Sequence, residues 1–222
     1  MASFEVISFD LDNALYDNQP VLNNAEAACN QVLDIEFAAQ GQVFQVEAFQ
    51  AIRRQLLTEN NIQYENLSHF RKCALNQLCR GLKDSARIVE KAFTQFIRYR
   101  SQITVLPEIM SMMSALSQKY TLVAVSNGNC DLTRTALSPF FEKHYSPTFG
   151  FRAKPHPQML QAVISDFYIT ADKLLHVGDS MDKDGQSASA AECEFYHFAP
   201  FQGELSVGQH CTRLINFVSN KK

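Results

Sequence analysis

Residues 6–12 are Val-Ile-Ser-Phe-Asp-Leu-Asp, a short apolar run that ends in two acidic residues. Such a run is typical of a strand buried in a sheet. Asp10 and Asp12 then follow the carboxyl end of that strand, which is where open parallel sheets bind their ligands. The stretch predicts a first strand that carries two carboxylates to a binding edge.

The second half of the chain alternates between strand patterns and helix patterns. Helical patterns lie around residues 109–116, 132–137, 159–167 and 187–191. Strand patterns lie at residues 121–126, 145–149, 174–177 and 195–198. This alternation indicates parallel βαβ units with helices on both faces of one sheet, which the first strand is expected to join. The predicted fold class is α/β.

The region between residues 20 and 99 shows helical spacing and no convincing strand. Four amphipathic patterns follow one another, with Gly81 placed to end the third helix and Asp84 placed to cap the fourth. We therefore predict an all-α helical bundle inserted into the α/β core. The predicted boundaries are 1–15 and 103–222 for the catalytic core and 16–102 for the insert.

Composition restricts the classes of binding partner and the cellular compartment that we expect. The 222 residues carry a formal net charge of -3, and the 20 basic residues are scattered, so nucleic acid is not an expected partner. We expect no signal peptide, and because no long apolar run occurs we also expect no membrane association and a cytoplasmic protein. The six cysteines, none in a C-x-x-C pair, are expected to be reduced. A monomer or a weak homodimer is expected.

Polar residues follow the later strand patterns as well. Ser126-Asn127-Gly128 follows the second, Lys154 the third, and Gly178-Asp179 with Asp184 the fourth. Each of these alone is commonly a turn former, a helix cap or a solvated charge. Their joint occurrence at four strand ends favours a functional site.

These residues together resemble the motifs of the haloacid dehalogenase superfamily, and the resemblance covers essentially the whole chain. It implies a Rossmann-like three-layer core with a helical cap inserted after the first motif. It also implies a phosphatase in which Asp10 is the nucleophile and Asp12 the general acid/base, with Ser126 and Lys154 completing the catalytic set. Small phosphorylated metabolites are the substrates that the resemblance implies.

The resemblance further implies a Mg²⁺ cofactor, which suits a site of carboxylates and phosphate oxygens. Its ligands would be Asp10, the main-chain carbonyl of Asp12, and Asp179, with Asp184 holding waters or Lys154 from behind. A second group would bind phosphate: Leu11, Ser126, Asn127, Gly128 and Lys154.

Several alternatives remain open at this point. A phosphotransferase or mutase would use the same nucleophile, and a 2-haloacid dehalogenase shares the fold, although that branch typically lacks the second aspartate. Ala14, where the family usually has Thr or Val, gives some support to a non-catalytic regulator that binds a phosphorylated ligand. Residues 15–18 and 98–100 resemble members that act on flavin mononucleotide or on sugar and nucleotide monophosphates. Among the histidines, His156 is expected to lie nearest the site.

Overall fold

The computed structural model describes residues 4–59 and 61–221. The predicted core ranges include residues 1–3 and 222, and the predicted insert includes residue 60. These positions lie outside the described residues. The chain divides into two compact units. An α/β unit contains the described residues up to Asn18, Ile103–Gly128 and those from Leu132 onward, and a helical unit contains Gln19–Gln102 with Asn129–Asp131. The role of the helical unit as a cap remains a prediction.

The α/β unit is built on one parallel sheet of five strands in the order β3-β2-β1-β4-β5. The strands are β1 (Val6–Phe9), β2 (Thr121–Val125), β3 (Lys143–Tyr145), β4 (Leu174–Gly178) and β5 (Glu194–His197). The predicted α/β fold is thus confirmed, with β1 at the centre of the sheet. All four residues of β1 are buried, as expected for a strand with neighbours on both sides.

Four helices surround this sheet: α5 (Pro107–Ser117), α6 (Gln158–Asp166), α7 (Gln186–Ala190) and α8 (Val207–Ser219). α6 and α7 contribute to one apolar cluster with alternate residues of the strands. Its members are Val6, Val123, Val125, Tyr145, Met159, Leu160, Val163, Leu174, Ala188, Ala191 and Cys193. α5 contacts β2 and α8. This packing fixes the strands whose carboxyl ends carry the candidate residues.

The helical unit consists of α1 (Asn18–Ala38), α2 (Val46–Thr58), α3 (Leu67–Leu78) and α4 (Ser85–Arg100). Each helix buries an apolar stripe; in α4 the stripe is Ile88, Val89, Ala92 and Phe96. These stripes meet in a single cluster, because an amphipathic helix is stable only when its apolar face is covered.

Several local predictions are wrong in detail. The third strand ends at Tyr145 and does not run to residue 149, since Ser146 accepts a hydrogen bond from the Thr148 amide and Pro147 begins a short 3₁₀ turn. The stretch 132–137, predicted as helix, contains only the 3₁₀ turn Leu132–Arg134, and a second 3₁₀ turn, Ser138–Phe140, begins after it. Asp84 precedes α4, but its backbone is left-handed with φ of 56° and its side chain makes no capping hydrogen bond.

The last helix, α8, was not predicted from the sequence. A capping box stabilises its first turn, because Ser206 Oγ accepts from the Gln209 amide and the Gln209 side chain accepts from the Ser206 amide. Among residues 4–59 and 61–221, no helix combines the length and the hydropathy that crossing a membrane requires.

Candidate active site at the carboxyl edge of the sheet

Asp10 lies directly after β1 at the centre of the carboxyl edge. Its amide donates to the Val177 carbonyl over 2.8 Å, which extends the β1–β4 pairing by one residue and fixes the Asp10 backbone. The residue is only 7% exposed. Its Oδ1 accepts a hydrogen bond of 2.8 Å from Lys154 Nζ. A carboxylate that is buried yet reaches the edge of the sheet is thereby held in one orientation.

Lys154 is the cation that connects the strand ends. Its Nζ donates to Asp10 Oδ1, to the Val125 carbonyl at 2.7 Å and to Asp184 Oδ1 at 2.5 Å. The Lys154 backbone is held by Asn127 through two reciprocal hydrogen bonds of 2.8 Å. Asn127 therefore uses its side-chain amide to position Lys154, a role that the sequence did not indicate.

Asp184 reaches the same edge through an unusual turn. Residues Met181–Gly185 form one π-helical turn, closed by hydrogen bonds from the Asp184 and Gly185 amides to the Ser180 carbonyl. This turn folds the Asp184 carboxylate back over the end of β4, where Oδ2 accepts from the Ser180 amide at 3.0 Å. A Cβ at Gly178 would lie 2.4 Å from Asp184 Cγ, so only glycine fits there.

The buried residues His176 and Ser8 lie behind Asp184 and hold its Oδ1. His176 Nε2 donates to Asp184 Oδ1 at 3.0 Å, and His176 Nδ1 lies 2.9 Å from Ser8 Oγ. Ser8 and His176 stand opposite each other in the β1–β4 register and are both fully buried. The order Ser8–His176–Asp184 is that of a hydrolytic triad, but no substrate reaches a serine buried inside the sheet. The arrangement instead fixes Asp184.

Asp179 completes a group of three carboxylates. Ligand oxygens of Asp10, Asp179 and Asp184 all lie within 4.8 Å of one another, and no other such group occurs in the described parts of the chain. His197 Nε2 donates to the Asp179 main-chain carbonyl at 2.8 Å. Three hard oxygen donors this close together fit a divalent cation that prefers oxygen ligands.

Burial and mutual repulsion shift the pKa values of this group. Burial raises the pKa of Asp10 to about 7, although the Lys154 ammonium opposes the shift. Burial and the nearby Asp184 carboxylate raise the pKa of Asp179. Burial also disfavours the charged form of Asp184, but Lys154 and the His176 hydrogen bond outweigh it and hold the Asp184 pKa below its usual range. The group therefore carries negative charge that a bound cation would stabilise.

Asp12 is half-buried in a short loop closed on itself. Asp12 and Tyr16 form an isolated β-bridge, and the Asn13 amide donates to the Tyr16 carbonyl at 2.9 Å. Asn13 takes the left-handed conformation with φ of 60°, which Asn tolerates better than most residues. The Tyr16 hydroxyl donates to Asp12 Oδ1. Ala14 is fully buried within this loop.

Ser126 and its turn follow β2, next to the end of β1. Ser126 Oγ accepts a 3.0 Å hydrogen bond from the Gly128 amide, and the residue is 1% exposed. Because β1 and β2 pair in parallel, this turn and residues Asp10–Asp12 lie at the same edge of the sheet. The side chain of Leu11 is buried, so only its backbone can serve a ligand.

The structure corrects the expectation about histidines. His156 is exposed and its Nδ1 accepts from the Gln158 amide, whereas His176 contacts Asp184 directly. One sequence signal pointed to His176. It is a polar residue inside an apolar strand, two positions before Gly178 and therefore on the same face.

A family model described as haloacid dehalogenase-like hydrolase matches residues 4–192. The 5-amino-6-(5-phospho-D-ribitylamino)uracil phosphatase YigB of Escherichia coli strain K12 is 29% identical in an alignment of 218 residues that covers 92% of this chain and 87% of that protein.

Among solved structures, a 2-haloacid dehalogenase from Pseudomonas syringae pv. Tomato DC3000 superposes with a TM-score of 0.85 at 24% identity, covering 96% of this chain and 99% of that one. The HAD-hydrolase YfnB from Bacillus subtilis, solved with magnesium, has a TM-score of 0.64 at 17% identity, covering 98% and 100%. At these identities the two structures show the shared fold alone. The family match covers most of the chain, which therefore belongs to the haloacid dehalogenase-like hydrolases.

Proposed function

We propose that this hydrolase is a magnesium-dependent phosphatase of small phosphorylated metabolites, with Asp10 as the nucleophile and Asp12 as the general acid/base. The observation that carries the proposal is the group of three carboxylates around Lys154 at the carboxyl edge of the sheet. A nucleophilic carboxylate, a fixed ammonium and a cation site are the parts that phosphoryl transfer through a phospho-enzyme requires.

In the first step, a carboxylate oxygen of Asp10 attacks phosphorus, and the bond between phosphorus and the leaving alcohol oxygen breaks. The leaving oxygen takes the proton of the Asp12 carboxyl group and departs as a neutral alcohol. The products of this step are the free alcohol and an aspartyl-phosphate on Asp10.

In the second step, water attacks the phosphorus of the aspartyl-phosphate, and Asp12 accepts the proton that the water loses. The bond between phosphorus and the Asp10 oxygen breaks, which releases inorganic phosphate and restores both carboxyl groups. One residue thus acts as acid and then as base, which returns the enzyme to its starting state.

The remaining residues bind and orient the phosphoryl group. Lys154, held by three acceptors, places a fixed positive charge beside the nucleophile, so no reorganisation is needed as charge develops. The Ser126 hydroxyl, whose oxygen already accepts from Gly128, is oriented to donate its proton to a phosphate oxygen. The backbone amides of Leu11 and Asn127 complete the phosphate site in this proposal.

Asp10, Asp179 and the main-chain carbonyl of Asp12 would hold Mg²⁺, with Asp184 beside them. The donor set fits, because all of these ligands are hard oxygens and the carboxylates repel one another without a cation. When bound, the ion supplies charge neutralisation that lets a phosphate dianion approach a carboxylate nucleophile.

The substrate class is inferred from the relative in E. coli, which is named for a 5-phosphoribityl compound. We infer a primary phosphate ester on a small metabolite, with ribityl phosphates such as flavin mononucleotide and sugar or nucleotide monophosphates as first candidates. The helical unit, which begins in sequence directly after the Asp12 loop, is the cap in this proposal and selects the leaving group.

Asp12 favours phosphate esters over halide, since halide leaves without a proton. A phosphotransferase or mutase would use the same two aspartates and pass the phosphoryl group to a second hydroxyl. The appearance of free phosphate separates hydrolysis from transfer.

The test is a panel of phosphorylated metabolites and 2-haloacids, assayed for phosphate and halide release by wild type and Asp10→Asn, with Mg²⁺ or with a chelator. We expect phosphate release from at least one ester that requires both Asp10 and the cation. Full hydrolysis by Asp10→Asn, insensitivity to the chelator, or halide release without phosphate release would each contradict the proposal.

A further inference from the structure

The phenol of Tyr16 is buried completely, and its hydroxyl is directed at the acid/base carboxylate. Tyr16 is 0% exposed, and its hydroxyl donates to Asp12 Oδ1. A buried phenol needs a hydrogen-bond partner, because leaving its hydroxyl unsatisfied costs stability. In this loop the partner is the side chain that the proposed reaction uses for proton transfer.

The loop backbone brings the Asp12 and Tyr16 side chains together. The bridge between residues 12 and 16 and the hydrogen bond from the Asn13 amide to the Tyr16 carbonyl close the loop. Asn13 Oδ1 accepts from the Asn18 amide at 3.2 Å, which ties the loop to the start of α1. The phenol is therefore held in place by the same backbone that carries the carboxylate.

We propose that Tyr16 is a positioning residue for Asp12: its hydroxyl holds the carboxyl group in the orientation from which the proton is delivered to the leaving oxygen. This inference rests on the proposed function and adds a residue to it. A ring alone would fill the space, so packing accounts for the aromatic side chain, whereas the hydroxyl is accounted for by its bond to Asp12.

The proposed role has a kinetic signature that a packing role lacks. An alkyl alcohol is a poor leaving group and needs the proton from Asp12 as its bond to phosphorus breaks. p-Nitrophenolate leaves as the anion and gains little from that proton. Disorder of the Asp12 carboxyl group therefore slows the transfer from alkyl esters much more than the transfer from p-nitrophenyl phosphate.

The experiment compares Tyr16→Phe with wild type on one alkyl phosphate and on p-nitrophenyl phosphate, with saturating Mg²⁺. The quantity measured is kcat/KM, because it reports the first transfer step and not the later hydrolysis of the phospho-enzyme. We expect a loss of roughly tenfold on the alkyl ester, since general acid catalysis as a whole contributes about 10²–10⁴-fold. On p-nitrophenyl phosphate the loss should stay below about twofold.

Two further variants show that the effect passes through Asp12. In an Asp12→Asn background, Tyr16→Phe should cause no additional loss on the alkyl ester, because the side chain that it positions has already lost its acid. Tyr120→Phe is the matched control: it removes a hydroxyl that donates to the Val218 carbonyl in the same unit, and both kcat/KM values should stay at the wild-type level.

Equal losses of Tyr16→Phe on both esters, no loss on either, or an additive loss in the Asp12→Asn background would overturn the inference and leave the phosphatase proposal standing. Wild type that releases phosphate from neither ester would overturn both. Thermal denaturation of each variant shows whether a loss reflects unfolding, and a Tyr16→Phe protein that is unfolded at the assay temperature would assign Tyr16 a structural role instead.

Discussion

The two units differ in the number of cationic side chains that lie beside each buried or half-buried carboxylate. In the helical unit, Glu36 accepts from both Arg87 and Lys91 at 2.7 Å. Glu26 in the same unit accepts from Arg53 at 3.0 Å and from Arg71 at 2.5 Å. Each glutamate thus has two cations, and Arg71 also stacks on the Phe96 ring with its guanidinium carbon 3.4 Å from the centroid.

The α/β unit shows the reverse ratio. Asp10 and Asp184 share the single ammonium of Lys154, and Asp179 adds a third carboxylate to the group. A carboxylate that contacts two cations is already neutralised and contributes to stability. Carboxylates that outnumber the cations beside them keep a net negative charge, which favours the binding of a further cation. The ratio of charges, more than the presence of buried acids, therefore separates the structural cluster from the candidate site.

The largest expected effect is that of neutralising Asp10. Asp10→Asn removes the nucleophile, so we expect turnover of the best substrate to fall by about 10⁴-fold or more. The matched variant in the other unit is Glu26→Gln, which should keep wild-type turnover and lose about 1–3 kcal/mol of unfolding free energy. Steady-state kinetics and urea denaturation of both variants check this. A loss of turnover in Glu26→Gln would break the comparison.

Removal of Lys154 should be the next largest effect. Lys154→Met keeps the length of the side chain but leaves Asp10 and Asp184 without their shared ammonium. We expect turnover to fall by about 10²–10³-fold and the metal-free protein to lose about 3 kcal/mol of stability. Mg²⁺ should restore part of that stability, which a thermal shift assay measures. Stability equal to wild type without the cation would show that the carboxylates do not repel one another.

A substitution of His176 tests the hydrogen bond that holds Asp184 and leaves the residues at the carboxyl edge of the sheet unchanged. His176→Leu removes the Nε2 donor and should weaken divalent-cation binding by roughly ten- to a hundredfold. His176→Gln, which can again present an amide donor, should recover most of the affinity. Calorimetric titration with Mn²⁺ reads this directly. Equal affinities in the Leu and Gln variants would rule out the hydrogen bond as the cause.

The smallest expected effect concerns pH. Because burial raises the pKa of Asp10 to about 7, protons compete with the cation below that pH. Cation affinity should therefore rise by about tenfold between about pH 6 and about pH 8 and level off above. Calorimetry at several pH values measures the slope, and Asp10→Asn should flatten it. A slope that is unchanged in Asp10→Asn would assign the titration to another group.

The sequence predicted the parallel sheet and placed the candidate residues after its strands, although it placed the end of the third strand four residues too late. This succeeded because a buried strand has a strong apolar signature and parallel strands bring their carboxyl ends to one edge. Asp10, Lys154, Asp179 and Asp184 are therefore found together although they are far apart in the chain.

The residues that the sequence did not reveal are those whose partners depend on register. His176 contacts Asp184 only because a π-helical turn folds residue 184 back over β4, and it meets Ser8 because β1 and β4 pair in one register. Asn127 was expected to offer its backbone, but its side chain holds Lys154. A polar residue inside an apolar strand draws attention to His176, but its contacts follow from the strand register and the turn, which only a three-dimensional structure shows.

The most direct test of the account is to trap the phosphoryl group on Asp10. Asp12→Asn lacks the base for the second step, so the phospho-enzyme should accumulate when this variant is mixed with p-nitrophenyl phosphate and Mg²⁺ and then quenched in acid. Mass spectrometry should find one added phosphoryl group on the peptide that contains Asp10, labile to hydroxylamine and absent from the Asp10→Asn, Asp12→Asn double variant. A phosphoryl group on Ser126 or on any other residue, or none at all while nitrophenol is released, would contradict the account.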